Sequence, residues 1–369
     1  MNIYCFNMLT SKSVIKFQIT DCVKQVLEKY RKKSFNKMED ITMASSRNQQ
    51  VEGLRGVAIM IIVLYHVVFR FQQIYLGEMT WTNPMGRFGT CLFMIISCYY
   101  LVDFKKSNSD FSLSRYLKKK FWRLWPCYAI AITITAVVIH IWPLPERMST
   151  LTDWILNIIF VNGFIDTPYI DGAHWYLTTL ISFIVISGIA KKIKLDKTPF
   201  FYLGWMIVFV IAKAFDIEFV AILLGGEYCF LYIIICFTKA MFQKWKEFSN
   251  RKLLLWSCVG VISTLGIVVF MGLTNAGMVL IVIPIFFACV FGKISFLSSK
   301  GLVWIGTVSY PIYLIHQNIA FEVEYNLLQM NGEFSIWIGM AGLIVGVGMG
   351  IVLYFLVEHP FKLRKKFVI

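Results

Sequence analysis

Charged residues are scarce in this sequence of 369 residues, where Asp, Glu, Lys and Arg together make up 15%. Soluble domains carry roughly 25% charged residues. Here 58% of the residues are hydrophobic and the mean hydropathy is +0.67. This composition excludes an ordinary soluble domain and indicates an integral membrane protein.

Several other features are missing. The nine cysteines form no CxxC pair, so the sequence gives neither a disulfide framework nor a thiolate metal site, and we expect no bound metal. The first fifty residues lack the apolar core of a cleavable secretory signal and contain nine Lys or Arg. No internal repeat or low-complexity linker interrupts the chain. We therefore expect one membrane domain at 51–369, preceded by a basic cytoplasmic segment at 1–50.

The basic N-terminal segment allows two interpretations. Residues 14–33 could form an amphipathic helix on the inner membrane surface. Alternatively, translation begins at Met38 or Met43 and the preceding residues are a misassigned start.

Apolar runs of roughly the length that crosses a bilayer core dominate the rest of the chain. They lie at 56–71, 86–102, 121–142, 174–190, 199–215, 219–241, 253–272, 276–292, 302–321 and 336–357. A shorter apolar stretch at 151–164 suits a helix at the membrane interface. The sequence thus predicts an all-α, polytopic membrane helix bundle with about ten transmembrane helices.

Lys and Arg are distributed unevenly between the two sets of connections. One set, which includes the C-terminal tail, contains 22 of them and the alternate set contains three, with Lys213 at a span boundary left out. Basic residues are enriched in cytoplasmic loops. Both termini are therefore predicted to be cytoplasmic. The net charge of +15 follows from this bias and requires no nucleic-acid partner.

Ionisable side chains inside predicted spans need a reason, because they are costly in hydrocarbon and usually functional. Arg55 and His66 are eleven residues apart, which places them on one face of an α-helix about 16 Å apart along its axis. A histidine in a span can also serve only to bind a neighbouring helix.

A second span carries a similar polar face. Ser309, Tyr313 and His316 are spaced to line one side of a helix. Glu227 is predicted to lie inside another span, and Trp175 begins a milder polar stripe. Two histidines and a glutamate at similar depth predict a polar chamber, which fits catalysis or transport equally well.

Basic residues also cluster on the predicted inner face, just before the span at 121–142. Lys120 and Arg123 belong to this cluster. Arginine forks and lysine ammonium groups bind phosphate, although most such clusters only anchor a span. From composition alone, both interpretations stay open.

Taken together, four ordered motifs resemble those of the acyltransferase 3 family, multi-spanning membrane acyltransferases that mostly O-acetylate bacterial surface sugars. The motifs are an acidic residue and Gly-Leu-Arg-Gly at 52–56 with His66; a basic pair and proline at Lys120, Arg123 and Pro126; Ser309, Tyr310, Tyr313, Leu314 and His316; and Glu358 with Pro360. Two positions depart from the family pattern. Lys120 replaces an arginine, and Tyr176 and Leu180 replace a serine and an acid found in one large branch.

The resemblance implies acyl transfer from acetyl-CoA, used as a substrate with no tightly bound cofactor, to a hydroxyl of a carbohydrate. The acceptor would be a cell-surface or exported polysaccharide or its lipid-linked precursor, and the enzyme would lie in the bacterial cytoplasmic membrane. The family roles would make Arg55, Lys120 and Arg123 the CoA-phosphate site and His66 the base.

The remaining candidate residues have less defined roles. His316 would be a second catalytic residue that orients the acceptor or stabilises the oxyanion, and Glu227 a third. Ser309, Tyr313 and Trp175 would contact the substrate. The rival function is a proton-coupled secondary transporter or a lipid-linked sugar flippase, with the same His and Glu residues as a proton relay. The sequence does not give the oligomeric state.

Overall fold

The computed structural model describes residues 49–102, 104 and 110–361, and within these residues the chain is helical and contains no β-strand. The helices are, in chain order, α1 Gln49–Tyr75, α2 Asn83–Tyr99, α3 Leu113–Ile141, α4 Leu151–Ile158, α5 Trp175–Lys192, α6 Pro199–Ala214, α7 Glu218–Leu223, α8 Tyr228–Lys244, α9 Asn250–Gly266, α10 Leu273–Val290, α11 Lys300–Asn331 and α12 Ile336–Leu353. The predicted all-α helix bundle is confirmed.

Seven helices among the described residues are long and apolar enough to cross a membrane. Each of the ten predicted apolar runs falls within or overlaps one of the helices, so the multi-pass class is confirmed. The count of ten spans and the cytoplasmic placement of both termini stay predictions. The predicted helix at 14–33 lies outside the described residues.

The stretch predicted to form an interfacial helix is shorter than expected. Helix α4 has only eight residues and is followed by a turn and a short 3-10 segment. Thr150 and Asp153 form a capping box at its start, which satisfies two of the free backbone N–H groups there. A helix of this length does not cross a bilayer.

Close backbone contact joins α1 to α11. A Cβ atom added at Gly56 would lie 2.3 Å from the carbonyl oxygen of Leu302, and one added at Gly306 would lie 1.9 Å from that of Glu52. Only glycine permits helix backbones to approach this closely, as small residues do in many membrane bundles. The glycines therefore bring the two helices that carry His66 and His316 together.

Helix α12 packs against the other side of α11. Its glycines recur every four residues at Gly342, Gly346 and Gly350, and a Cβ added at Gly346 would lie 2.9 Å from the carbonyl oxygen of His316. The His316 segment is thus enclosed between α1 and α12.

Two membrane segments depart from regular α-helix near the candidate residues. Residues Tyr65–Arg70 of α1 form a π-helical turn that contains His66. Between α7 and α8 the chain makes a turn in which Gly225 and Gly226 have φ angles of 92° and 60°. Such positive φ angles favour glycine.

This turn contains Glu227, which lies within the candidate membrane span Glu218–Lys244 as predicted. The span is not one unbroken helix, however, and Glu227 is exposed at the break. Local periodicity could not reveal this, because the flanking residues are apolar on both sides of the break.

Candidate functional site

Two cavities lie along the axis of the bundle. The larger has a volume of about 770 Å³ and is lined by His66, Trp175 and Glu227 among others; we call it the His66 chamber. The smaller has a volume of about 340 Å³ and is lined by the sequence-predicted basic residues; we call it the Arg55 cavity. The predicted polar chamber and the predicted anion-binding cluster are therefore separate spaces.

The three predicted phosphate-binding residues come together in the Arg55 cavity. Arg55, Lys120 and Arg123 all line it, although α1 carries the first and α3 the other two. Two carboxylates, Glu52 and Glu358, line the same cavity. Arg55 Nη1 donates to both carboxylate oxygens of Glu52, at 3.0 and 2.9 Å. Cations are in excess, as an anion site requires.

Three aromatic rings separate the two cavities. Phe93, Tyr176 and Tyr313 line both of them and are all buried. The ring centroids of Tyr176 and Tyr313 are 5.5 Å apart, and that of Phe93 lies 6.1 and 6.5 Å from them. We call these three rings the aromatic partition. Any molecule that extends from one cavity into the other must pass between or beside them.

The members of the aromatic partition are held differently. The Tyr313 hydroxyl donates to the Ala173 carbonyl oxygen at 2.7 Å, and the Tyr176 hydroxyl is hydrogen-bonded to that of Ser97 at 2.6 Å. The backbone carbonyl oxygen of Phe93 accepts from the Tyr176 hydroxyl at 3.4 Å, but the Phe93 side chain has no polar group. Phe93 is therefore the one member of the partition whose side chain is held by packing alone.

His66 and His316 form a hydrogen-bonded pair in which Nδ1 of His66 lies 2.8 Å from Nε2 of His316. The other nitrogen of His316, Nδ1, faces the carbonyl oxygens of Ile312 and Tyr313 at 3.1 and 2.9 Å. Carbonyl oxygens only accept, so the proton of a neutral His316 lies on Nδ1 and its Nε2 is an acceptor. His66 must then carry its proton on Nδ1, which leaves a lone pair on its Nε2.

The two histidines differ in access. His316 is fully buried and does not line either cavity, whereas His66 is partly exposed and lines the chamber. Nε2 of His66 has no hydrogen-bond partner among the described residues. His66 therefore presents a basic nitrogen to the chamber while His316 supports it from behind. Wide π-helical turns such as the one at His66 are common at functional sites.

A short segment before α5 fixes the part of α11 that carries His316. His174 Nε2 donates to the Leu314 carbonyl oxygen at 3.0 Å. The buried Asp171 carboxylate accepts from the backbone N–H groups of Ala173 at 2.9 Å and Asn318 at 3.2 Å. Sequence reasoning missed Asp171, which precedes the predicted span at 174–190, and His174, which is the first residue of that span. The sequence feature that could have indicated them is the presence of an acidic residue and a histidine within four residues of Trp175.

The remaining predicted residues divide between the cavities. Trp175 lines the chamber and packs on Tyr228, with ring centroids 5.1 Å apart. Tyr313 belongs to the aromatic partition. Ser309 lines only the Arg55 cavity, so it is on the other side of the partition from the His66 side chain. Glu227 lines the chamber from the α7–α8 turn.

A comparison with protein-family models finds one described as "Acyltransferase domain" that matches residues 48–357. The match covers most of the chain and includes the glycine-packed helices, both histidines and all three basic residues of the Arg55 cavity. Comparisons with curated proteins and with solved structures find no match.

Proposed function

Because the chain belongs to this acyltransferase family, we propose that it is a membrane O-acetyltransferase that moves an acetyl group from acetyl-CoA to a carbohydrate hydroxyl. The acceptor is a surface or exported polysaccharide or its lipid-linked precursor. The observation that carries this proposal is the His66 nitrogen, which opens on a chamber separated from a cationic cavity only by the aromatic partition. Acyl transfer between partners on opposite membrane faces requires such an arrangement.

The donor occupies the Arg55 cavity in this proposal. The bias of Lys and Arg predicts that this end faces the cytosol, where acetyl-CoA is available. The phosphates of CoA stay with Arg55, Lys120 and Arg123, because moving them into hydrocarbon is costly. The narrow, uncharged pantetheine arm then extends through the aromatic partition toward His66. The eleven residue steps from Arg55 to His66 give a reach of about 16 Å.

The chemical step uses the free lone pair of His66. Nε2 removes the proton of the acceptor hydroxyl as its oxygen attacks the thioester carbonyl carbon. The C–O bond forms, the tetrahedral intermediate collapses, and the C–S bond breaks with its electron pair going to sulfur. The imidazolium returns the proton to that sulfur, so the products are the ester and free CoA. Neither oxidant nor metal is needed.

The same lone pair would serve a covalent acyl-histidine intermediate. In that route Nε2 attacks the thioester first and the acceptor hydroxyl removes the acetyl group afterwards. A single turnover without acceptor separates the two routes, since only the covalent route releases one equivalent of CoA and labels the protein.

The function is tested with the purified full chain in lipid nanodiscs and acetyl-CoA labelled in the acetyl group. We expect transfer of label into base-labile esters of cell-envelope carbohydrate, with free CoA formed in equal amount. In cells, deletion of the gene should remove base-labile acetyl groups from a surface polysaccharide. A transporter or flippase would move sugar without consuming acetyl-CoA, and that result would overturn the proposal.

The cationic cavity supplies one prediction. Arg123→Ala should weaken CoA binding about tenfold or more, because a charge-assisted contact to phosphate is lost. Lys120→Arg should keep or strengthen binding, because a guanidinium binds phosphate through two N–H groups. Binding is measured by calorimetry on the purified chain in detergent.

Arg251→Ala is the matched control, because Arg251 lies at the start of α9 and does not line the Arg55 cavity. Equal CoA affinity in the Arg123 and Arg251 variants would contradict a phosphate site. Loss of folded protein in both Arg123→Ala and Lys120→Arg would instead support a purely anchoring role for the cluster.

The aromatic partition supplies another prediction. Phe93→Leu removes the ring that lacks a polar anchor and widens the passage, so longer acyl groups should be accepted. We expect the ratio of butyryl to acetyl transfer to rise about tenfold, the scale on which small changes in an apolar pocket alter selectivity. The ratio is measured with butyryl-CoA and acetyl-CoA in competition.

Phe270→Leu is the control, because Phe270 lines the His66 chamber but not the Arg55 cavity. An equal rise in both variants would show that chamber volume, rather than the partition, limits the acyl group.

A further inference from the structure

The few basic residues of the predicted outer loops gather around one cavity. These loops contain Arg70, Arg87 and Arg147, and all three line the His66 chamber. A fourth basic residue on that side, Lys213, is paired with Glu218 outside the chamber. Basic residues are depleted from outward-facing loops. Three arginines that persist there and converge on the same chamber therefore indicate a local use for positive charge.

The arginine charges are not neutralised by neighbours. Among the described residues, no carboxylate lies within ion-pair distance of Arg70, Arg87 or Arg147. Arg70 Nη1 donates to the neutral Gln73 side chain at 3.0 Å. Glu227 is the one carboxylate among the described residues that line the chamber. Arg147 is hydrogen-bonded to the neutral Tyr75 side chain. The chamber wall is thus cationic, and none of its three guanidinium groups is ion-paired with a carboxylate of the described residues.

Two of the arginines, Arg70 and Arg147, are placed near the histidine pair. Arg70 follows His66 by one turn of the same helix, at the end of the π-helical segment. The Arg147 side chain lies against Gly172, because a Cβ atom added to that glycine would be 3.0 Å from Arg147 Nη1. The same added atom would be 3.4 Å from Nε2 of Gln317. Gln317 adjoins His316 in α11. A ligand within reach of His66 is therefore within the field of these charges.

We propose that the His66 chamber binds an acceptor that carries an anionic group, a phosphate or a carboxylate, held by Arg87, Arg147 and Arg70. The term acceptor rests on the proposed acyltransferase function, whereas the anion site rests on the arginines alone. Guanidinium forks match the geometry of phosphate and carboxylate oxygens. A chamber lined by one sign of charge also concentrates ligands of the opposite sign. A neutral polysaccharide would gain nothing from three unpaired arginines.

Two sources supply such an anion, and matched probes separate them. Methyl glucuronide represents an acidic sugar, with methyl glucoside as its neutral partner. Geranyl diphosphate represents the head of a lipid-linked sugar, with geraniol as its neutral partner. Binding of each probe to the purified full chain is measured by calorimetry in a non-ionic detergent. We expect at least one anionic probe to bind about tenfold or more tightly than its neutral partner, and the preferred pair identifies the source.

Substitution then locates the site. Arg87→Gln and Arg147→Gln should each weaken anion binding about tenfold, the loss expected for one charge-assisted pair, and leave neutral-probe binding unchanged. Lys213→Gln, which removes a basic residue of the same predicted side outside the chamber, should have no effect. Arg87 is exposed, so its variant retains the fold and carries the test if Arg147→Gln does not fold. Equal binding of charged and neutral probes, or unchanged affinity in Arg87→Gln, would overturn the proposal.

Acetyl transfer, measured separately as CoA release, keeps this inference distinct from the proposed function. If anion binding depends on the arginines but no acetyl transfer occurs, the acetyltransferase function is rejected and the anion site is retained. If acetyl transfer occurs but does not change in Arg87→Gln, the acetyltransferase function is retained and the anion site is rejected. If the arginines served only to stabilise the oxyanion of the intermediate, neutral acceptors would lose as much turnover as anionic ones, and that result would also reject the site.

Discussion

Replacing His66 with asparagine lowers acetyl transfer by about 10²- to 10⁴-fold in our expectation, the range typical for loss of a general base. The structure makes asparagine the sharper substitution. Its amide N–H lies near the position of Nδ1, so it can still donate to Nε2 of His316, while the free Nε2 is removed. Helix packing is therefore retained and only the base is lost.

Transfer is measured with saturating acetyl-CoA, and melting temperature and CoA affinity serve as controls. His66→Gln is the companion variant, because its amide reaches the position of Nε2 but takes up no proton. Both variants should bind CoA like the wild type. Transfer within a few-fold of wild type in either one would show that His66 is not the base, and Glu227, which lines the same chamber, would become the candidate.

The second large effect concerns His316, a positioning residue that touches His66 and not the chamber. Orienting partners of a catalytic histidine contribute up to about 10⁴ in rate. His316→Gln places a carbonyl oxygen near the position of Nε2 and so keeps an acceptor for His66 Nδ1–H. His316→Asn retains contacts toward the Ile312 carbonyl oxygen but leaves His66 without its acceptor.

We therefore expect His316→Gln to lose about tenfold in turnover and His316→Asn about 10² or more. KM for acetyl-CoA should stay constant in both, because the proposed site for the donor phosphates is the other cavity. A merely structural histidine would show equal losses in the two variants, or losses that follow the melting temperature. Either pattern would contradict the orienting role.

The sequence was sufficient to predict the helices, because apolar runs of bilayer length have few alternatives. It also indicated His66, His316 and the basic cluster as candidate functional residues, since ionisable groups in or beside membrane spans are rare and usually have a function. The direct contact between the histidines could not be predicted. It depends on the close approach of α1 and α11 at Gly56 and Gly306, and residue spacing within one helix carries no information about its neighbour.

Other parts of the site lacked a local signal. The helix break beside Glu227 was missed because Gly225 and Gly226 lie in an apolar run. Asp171 bonds to α11 across 147 residues of sequence, and such a pairing cannot be predicted from periodicity. In the sequence, Arg70, Arg87 and Arg147 were only the few basic residues of the predicted outer loops. That all three line the His66 chamber is visible only in the structure.

The aromatic partition also has an electrical consequence. If water fills the cavities on both sides, most of the membrane potential falls across the layer formed by Phe93, Tyr176 and Tyr313. Carrying one elementary charge across it would involve about 2.3 kcal/mol per 100 mV. In the proposed mechanism the parts of the donor that cross, the pantetheine arm and acetyl thioester, are neutral, and the phosphates do not cross. We therefore expect turnover measured in proteoliposomes to be independent of an imposed membrane potential, with the three rings as the insulating layer.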